Sequence, residues 1–275
     1  MMLAMYLVIL ADGRARQRPR AGAERPVALE AGSDGHPILA RTIARYAPLV
    51  DPFDVVIVTD RRHGHAIRAI APDAIVLAEP MHGNTAASIA LATAAVGRPD
   101  AERMLVVTAD HEIDDEAALR ESIAAIDAHL EATPEGALAP LLAFGVNPTE
   151  LEPGYSYIRP RFDDAVRVGP VRVLSVDAYE ADPPPVRARE LFDAGTTYWS
   201  AGIFLWQRGA IRAAIRRYTP LWTLIEPAHR SELALGAAYD LLQPLSIDET
   251  VLAGAAGDGA VVTARLDVGW RPLDA

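Results

Sequence analysis

Short apolar runs recur through the first half of the chain, each followed by a stretch with helical spacing. Leu3–Leu10, Phe53–Thr59, Ala74–Ala78 and Met104–Ala109 are runs of Val, Ile, Leu and Met too short to be helices. They predict buried strands. Between them His36–Leu49, Arg62–Ile70 and Asn84–Val96 carry helical patterning, and a further helix is expected from about Asp115 to Glu131. Asn84 opens the third of these and is a good N-cap residue. Residues 11–35 read as a long loop rich in Gly, Pro and Arg. Continuous apolar strands alternating with helices imply a parallel, doubly wound α/β sheet.

Beyond Gly136 the pattern changes. Ala137–Val146, Tyr155–Arg159, Val171–Ala178 and the TYWSAGIFLW segment predict strands, with Val261–Asp267 the last. Pro184–Ala194 and Arg208–Tyr218 predict helices. Residues 150–185, rich in Pro, Asp and Glu, suggest a small β-rich lobe over the sheet. No repeat or long linker divides the 275 residues, so a single domain is expected, with halves at 1–145 and 146–275.

Composition removes several function classes. There is no cysteine, which excludes disulfides and thiolate metal sites and suits a cytoplasmic protein. The net charge of −11 argues against a nucleic-acid partner. No apolar run reaches the roughly 18–20 residues of a membrane span, and the apolar start reads as a first strand, not a signal peptide. All 26 basic residues are arginine; the chain has no lysine.

In an open α/β sheet, ligands bind outside the carboxyl ends of the strands. Three segments fall there. The loop after the first strand holds Gly13 and then Arg14, Arg16, Arg18 and Arg20. Guanidinium groups suit bidentate contact with phosphate oxygens, and a solvated arginine loop is the competing interpretation. Asp110, in Thr108-Ala-Asp-His111, suits Mg²⁺, which takes one or two carboxylates plus phosphate oxygens. Alternatively Asp110 or Asp114 simply starts the next helix, and His111 is packed. Asp267 ends the last strand, and could share the metal with Asp110. His63 and His65 open a helix with no acidic partner in register and are expected at the surface.

These segments resemble, in order, those of the sugar-1-phosphate nucleotidyltransferases, most closely the mannose-1-phosphate guanylyltransferases. LVILADG…RQRP resembles the family's Gly-rich loop, and Glu79-Pro-Met-His-Gly-Asn84-Thr85-Ala86 its EPxGRNTA segment. MLVVTADHEI is similar to LVLPADHxI. Phe144–Thr149 followed by Glu152–Ile158 is similar to FGIxPTxPETGYGYI. Tyr198–Phe204 resembles LWNSGIF, and Ser246–Asp248 followed by Leu266–Trp270 resembles SID…WSDVGSW. The resemblance spans about residues 5–270.

It implies a Rossmann-like, glycosyltransferase-A-like nucleotidyltransferase fold with a mostly parallel sheet. It also implies a reaction: a sugar-1-phosphate oxygen attacks the α-phosphorus of a nucleoside triphosphate and pyrophosphate leaves. Mannose-1-phosphate and GTP, giving GDP-mannose, are the implied pair. By residue-to-residue match, Asp110 and Asp267 would bind Mg²⁺ and Arg16 would be the catalytic arginine. Gly13, Arg14, Asn84 and Thr85 would lie against the nucleotide, and Gly154, Tyr155 and Ser200 would face the sugar. The departures are equally specific. Val27 and Asp182 fall where the family has two phosphate-handling lysines, and Ser200 replaces an Asn. No C-terminal β-helix or cupin domain is expected. The alternative is a catalytically impaired homologue that binds a nucleotide or nucleotide sugar and regulates a partner, such as an active paralogue; a homodimer is also compatible.

Overall fold

The apolar runs of the first half are strands buried on both faces. In β1 (Met5–Leu10), Met5, Leu7 and Ile9 point to one side of the sheet, and Tyr6, Val8 and Leu10 to the other; all six are buried. The protein was described in a computed structural model, for residues 5–12, 26–81, 84–131, 140–152 and 154–273. In order along the chain, β1 is followed by α1 (Ile38–Tyr46), β2 (Val55–Asp60), α2 (Gly64–Ile70), β3 (Ile75–Glu79) and α3 (Asn84–Ala95). Then come β4 (Arg103–Thr108), the short β5 (His111–Glu112), α4 (Glu116–Glu131) and β6 (Leu141–Val146). β7 (Tyr157–Pro160), β8 (Val166–Val168), β9 (Val171–Glu180), α5 (Pro185–Asp193), β10 (Tyr198–Gln207) and α6 (Arg208–Tyr218) follow. Residues 219–260, to which the hydrophobic pattern assigned no element, hold α7 (Leu221–Ala228), α8 (Glu232–Tyr239), a π-helical turn at Asp248–Leu252 and α9 (Ala253–Gly257). The chain closes with β11 (Val261–Arg265) and β12 (Arg271–Pro272).

The main sheet has the order β3-β2-β1-β4-β10-β6-β11-β9-β7, with β8 paired to β9. β3, β2, β1 and β4 pair in parallel, as do β6 and β11. β10 lies antiparallel between β4 and β6, so those two blocks run the same way. The central sheet is therefore largely parallel, with β10 reversed inside it and β9 running antiparallel to both β11 and β7. The β-rich segment expected as a lobe is continuous with this sheet, because β9 pairs with β11 and β7 with the start of β10.

Helices cover both faces. One core contains Leu39 and Tyr46 of α1 and Leu119, Ile123, Ile126 and Leu130 of α4. The α4 set recurs every three or four residues, one stripe of a helix, and each such burial contributes roughly 1.5–3 kcal/mol. The other core holds α3 and α6 to α9. α3 is apolar nearly all round because it is enclosed, with Ala86 to Ala92 buried against the sheet, α6 and α7. Among the described residues no helix is long and apolar enough to cross a membrane.

The pairing of β10 with β6 shifts register between Ser200 and Phe204. Gly202 sits in this irregularity at φ +69°, and a Cβ there would lie 2.6 Å from Thr108 Oγ1 at the end of β4. Only glycine combines that backbone with that approach. Gly202→Ala should therefore destabilise the fold by about 1–3 kcal/mol, measured by urea unfolding. Thr108→Ala in that background should recover the part due to the clash and leave the backbone strain. Parent-like stability in Gly202→Ala would refute this account of the bulge.

Candidate active site

The Gly202 irregularity faces a cavity of ≈ 170 Å³ at the carboxyl edge of the sheet. Its walls come from distant parts of the chain: the start of α3 (Asn84, Thr85), the end of β4 (Thr108, Asp110), Tyr155 and Ser156, the first half of β10, and Ser246 to Asp248. Most of the site residues expected from sequence and described here thus meet in one place. Asp110, Asn84, Thr85, Tyr155 and Ser200 all line the cavity.

Asp110 follows β4 by two residues, and its side chain is 33% exposed. The competing role of helix cap belongs to another residue. Asp115 precedes α4, and its Oδ1 accepts the Ala118 N–H at 2.9 Å. Asp114 pairs with Arg271 instead. His111 is buried beside Asp110, Nδ1 3.8 Å from the carboxylate, and burial pushes its pKa down despite that neighbour. It is a packed histidine against Trp270, as expected, with ring centroids 6.1 Å apart.

Asn84 begins α3 in the left-handed region at φ +63°, which Asn tolerates better than most residues. Its side-chain oxygen accepts the next N–H, that of Thr85, at 2.7 Å, so it does not cap the second or third helical residue in the usual way. Asn84 Nδ2 donates to Pro244 O, and Thr85 Oγ1 accepts from Ile247 N at 2.8 Å. Both side chains tie the helix start to the Ser246–Asp248 segment. Asn84 and Thr85 both line the cavity, so the start of α3, the positive end of its dipole, borders it, an arrangement suited to an anion.

Tyr155 meets Trp270 edge-on at 6.0 Å, both lining the cavity, and Trp199 stacks on Tyr155 at 4.6 Å from behind that wall. Ser200 is buried and donates its backbone N–H to Ser156 O at 2.9 Å. Gly154 donates its N–H to Glu152 Oε1 and is not among the cavity-lining residues. Asp248, to which sequence reasoning gave no role, accepts from Ser156 Oγ at 3.0 Å and Tyr179 Oη at 2.8 Å. The only early signal for it was its place in the Ser246-Ile-Asp248 motif.

Asp182 also lines the cavity, exposed and in the left-handed region at φ +41°. The charged side chains on the wall are Asp110, Asp182 and Asp248, with no arginine among the described residues. Val27 is 4% exposed, packed in a short 3₁₀ turn, so the second position of the resemblance is an apolar niche. Gly13, Arg14, Arg16, Arg18 and Arg20 lie outside the described residues. Asp267 is exposed two residues beyond the end of β11 and is not among the cavity-lining residues. Among the described residues no group of three or more His, Asp or Glu side chains is placed to hold a metal. Mg²⁺ does not need one, since substrate phosphates complete its shell.

One expectation is corrected. His65 is exposed, but His63 is not a surface histidine: its side chain is 16% exposed and Nδ1 lies 3.9 Å from Asp12 Oδ1. The missing acidic partner was a tertiary neighbour, brought in by the parallel pairing of β1 with β2 and held by Thr59 Oγ1 at 2.9 Å. Glu79 and its cross-strand neighbour Asp60 are the buried acids at the ends of β3 and β2. Glu79 is fully buried, accepting from Ser88 Oγ of α3 at 2.8 Å and Tyr239 Oη of α8 at 2.6 Å.

Comparison with known proteins is consistent with this geometry. No protein-family model matches the chain. It is 32% identical over 179 residues to the alginate biosynthesis protein AlgA of Pseudomonas putida, covering 65% of this chain and 34% of that protein. It is 30% identical over 206 residues to the mannose-1-phosphate guanylyltransferase of Escherichia coli, covering 73% and 41%. The chain therefore spans about two-fifths or less of the length of these curated relatives. Among solved structures it matches one described as a mannose-1-phosphate geranyltransferase from Thermus thermophilus, with a TM-score of 0.79 and 28% identity, over 98% of this chain and 76% of that one.

Burial pushes the Glu79 carboxyl up to about 8, against the two hydroxyl donors that favour its charged form. The unfolded chain releases this proton near 4.5, so between those values the folded state holds the extra proton. Glu79 then contributes stability that is present below pH 4.5 and is lost as pH rises to about 8. Glu79→Gln should flatten the fall of stability across that window, by up to about 1.4 kcal/mol per pH unit. Urea midpoints at several pH values check this; a slope equal to the parent's would contradict it.

Proposed function

Since this chain belongs to the sugar-1-phosphate nucleotidyltransferase family, we propose that it joins a sugar-1-phosphate to a nucleoside triphosphate and releases pyrophosphate. The observation that carries this reading is Asp110. A partly exposed carboxylate stands at the carboxyl end of a buried parallel strand, inside a cavity walled by a helix N-terminus on one side and by aromatic and hydroxyl groups on the other. Mannose-1-phosphate and GTP are the first pair to test, because the Escherichia coli relative is a mannose-1-phosphate guanylyltransferase. We place the reaction in the cytoplasm.

In this reading the start of α3 receives the nucleotide phosphates, Asn84 and Thr85 hold that helix start against residues 244–247, and Tyr155 and Ser200 meet the sugar. Asp110 would hold Mg²⁺ together with phosphate oxygens, and Asp267 is the second candidate. Bound there, the ion would neutralise charge building on the transferring phosphate. The chain's own work is alignment. The sugar phosphate oxygen must approach the α-phosphorus in line as the bond to pyrophosphate breaks, and the wall of Tyr155 and Trp270, with Trp199 stacked behind Tyr155, restricts the sugar's orientation.

A second reading, a homologue that binds a nucleotide or nucleotide sugar without turnover and regulates a partner, is favoured by one feature: Asp182 puts an anion on the wall of a cavity meant for anions.

Pyrophosphate release over a panel of nucleoside triphosphates and sugar phosphates separates the two, with calorimetric binding alongside. Turnover that falls about 10²–10³-fold in Asp110→Asn supports the enzyme; binding without turnover supports the regulator. Asp182→Asn keeps a residue that tolerates the left-handed backbone and removes the charge. It should lower the KM for the sugar phosphate several-fold. An unchanged KM would place Asp182 away from the substrate's charge. Val27→Lys should cost stability without gain, because an ammonium in that niche loses its charge.

A further inference from the structure

We infer that Arg271 is a positioning residue for Asp110, locking residues 266–273 as a strap across the loop that carries the carboxylate. The inference rests on the reading of Asp110 given above. That loop has little support of its own. On its N-terminal side β4 belongs to the main sheet, and Ala109 N donates to Leu10 O. On its C-terminal side β5 pairs only with β12, in a separate two-stranded sheet. Arg45 Nη1 reaches His111 O at 3.4 Å, and the strap supplies further backbone bonds. Leu273 N donates to Asp110 O at 2.8 Å, and the N–H groups of Asp114 and Asp115 both reach Val268 O at 3.0 Å. Gly269, at φ +64°, lets the strap pass so close that a Cβ would fall 2.4 Å from Asp114 Oδ2. Trp270, between this crossing and Arg271, lines the cavity and donates to Ala201 O at 3.1 Å.

Arg271 pins the crossing electrostatically. Its Nε and Nη2 reach Glu112 Oε2 at 3.1 and 2.7 Å, and its Nη1 reaches Asp114. Glu112 is gripped from the other side by Arg41 Nη1 of α1 at 3.2 Å, and Arg41 Nε stands 3.6 Å from Asp34. Charges alternate along Asp34, Arg41, Glu112, Arg271 and Asp114. Burial pushes the Glu112 carboxyl up, but the bonds from Arg271 and Arg41 outweigh it and hold it below the usual range. The Arg271 side chain is 52% exposed, so removing it opens no cavity, and an exposed pair adds little to global stability. Its effect is local. It decides how much of the time the strap is closed, and a ligand held by Asp110 binds in proportion to that fraction.

The test uses the full chain with Mn²⁺ as probe, followed by electron paramagnetic resonance with and without GTP, and hydrogen exchange of the 110–115 amides without metal. Arg271→Gln is expected to speed exchange at Glu112, Asp114 and Asp115, to weaken Mn²⁺ binding about 5–10-fold and to leave the Tm near the parent's. Arg271→Lys should restore much of both effects. Asp114→Asn, at a still more exposed site, should act in the same direction and be less than additive with Arg271→Gln. Parent-like exchange and Mn²⁺ affinity in Arg271→Gln, with Mn²⁺ binding lost in Asp110→Asn, would overturn the positioning role and leave Asp110 in place. Mn²⁺ binding that survives Asp110→Asn, or no binding by the parent, would overturn both.

Discussion

The structure turns on one strand pairing. β10 runs antiparallel between β4 and β6 and joins the two halves of the chain into one sheet. Because it is reversed, its early residues, Trp199 to Gly202, lie at the carboxyl ends of β4 and β6, where its neighbours finish. A parallel strand in that place would bring its last residues there instead. The register shift at Gly202 draws β10 against Thr108, so Ser200 and Ala201 come within reach of the same space as Asp110. The cavity is a consequence of that reversal.

A second constraint follows from the burial of the strands. With both faces apolar, polar groups can gather only at the strand ends, and there they must be satisfied or become costly. The site shows both solutions. Asp248 takes two hydroxyl donors. Glu79, equally well bonded, is buried so deeply that it keeps its proton. Asp110 differs from both in place: its side chain is partly exposed, beside His111, on a loop held by the C-terminal strap.

The wall's charge is opposite to what anionic substrates ask of it. Asp110, Asp182 and Asp248 supply negative charge, while the positive side among the described residues is the start of α3. A bound divalent ion would reconcile these, as would arginines from residues 13–25, which lie outside the described residues. The buried Val27 shows that one of the two lysines implied by the resemblance has no room for a charge here.

The sequence by itself determined the elements that are apolar on a fixed period. β1, β2, β3 and β4 read as buried runs because a doubly covered strand needs no polar alternation, and α4 as a helix because its core stripe recurs every three or four residues. It also determined most of the wall, through short motifs at strand ends. What it could not show depends on distance through space. α7 and α8 are not marked as helices by the hydrophobic pattern, because α7 contains Pro227 and α8 is apolar nearly all round. His63 reads as a surface residue from the sequence because its partner, Asp12, lies 51 positions away and meets it only through parallel pairing. Asp110 could not be told from a helix cap until Asp115 was seen to cap α4. Periodicity records which side of an element faces the core; which elements then stand beside one another is decided by the packing of the whole sheet.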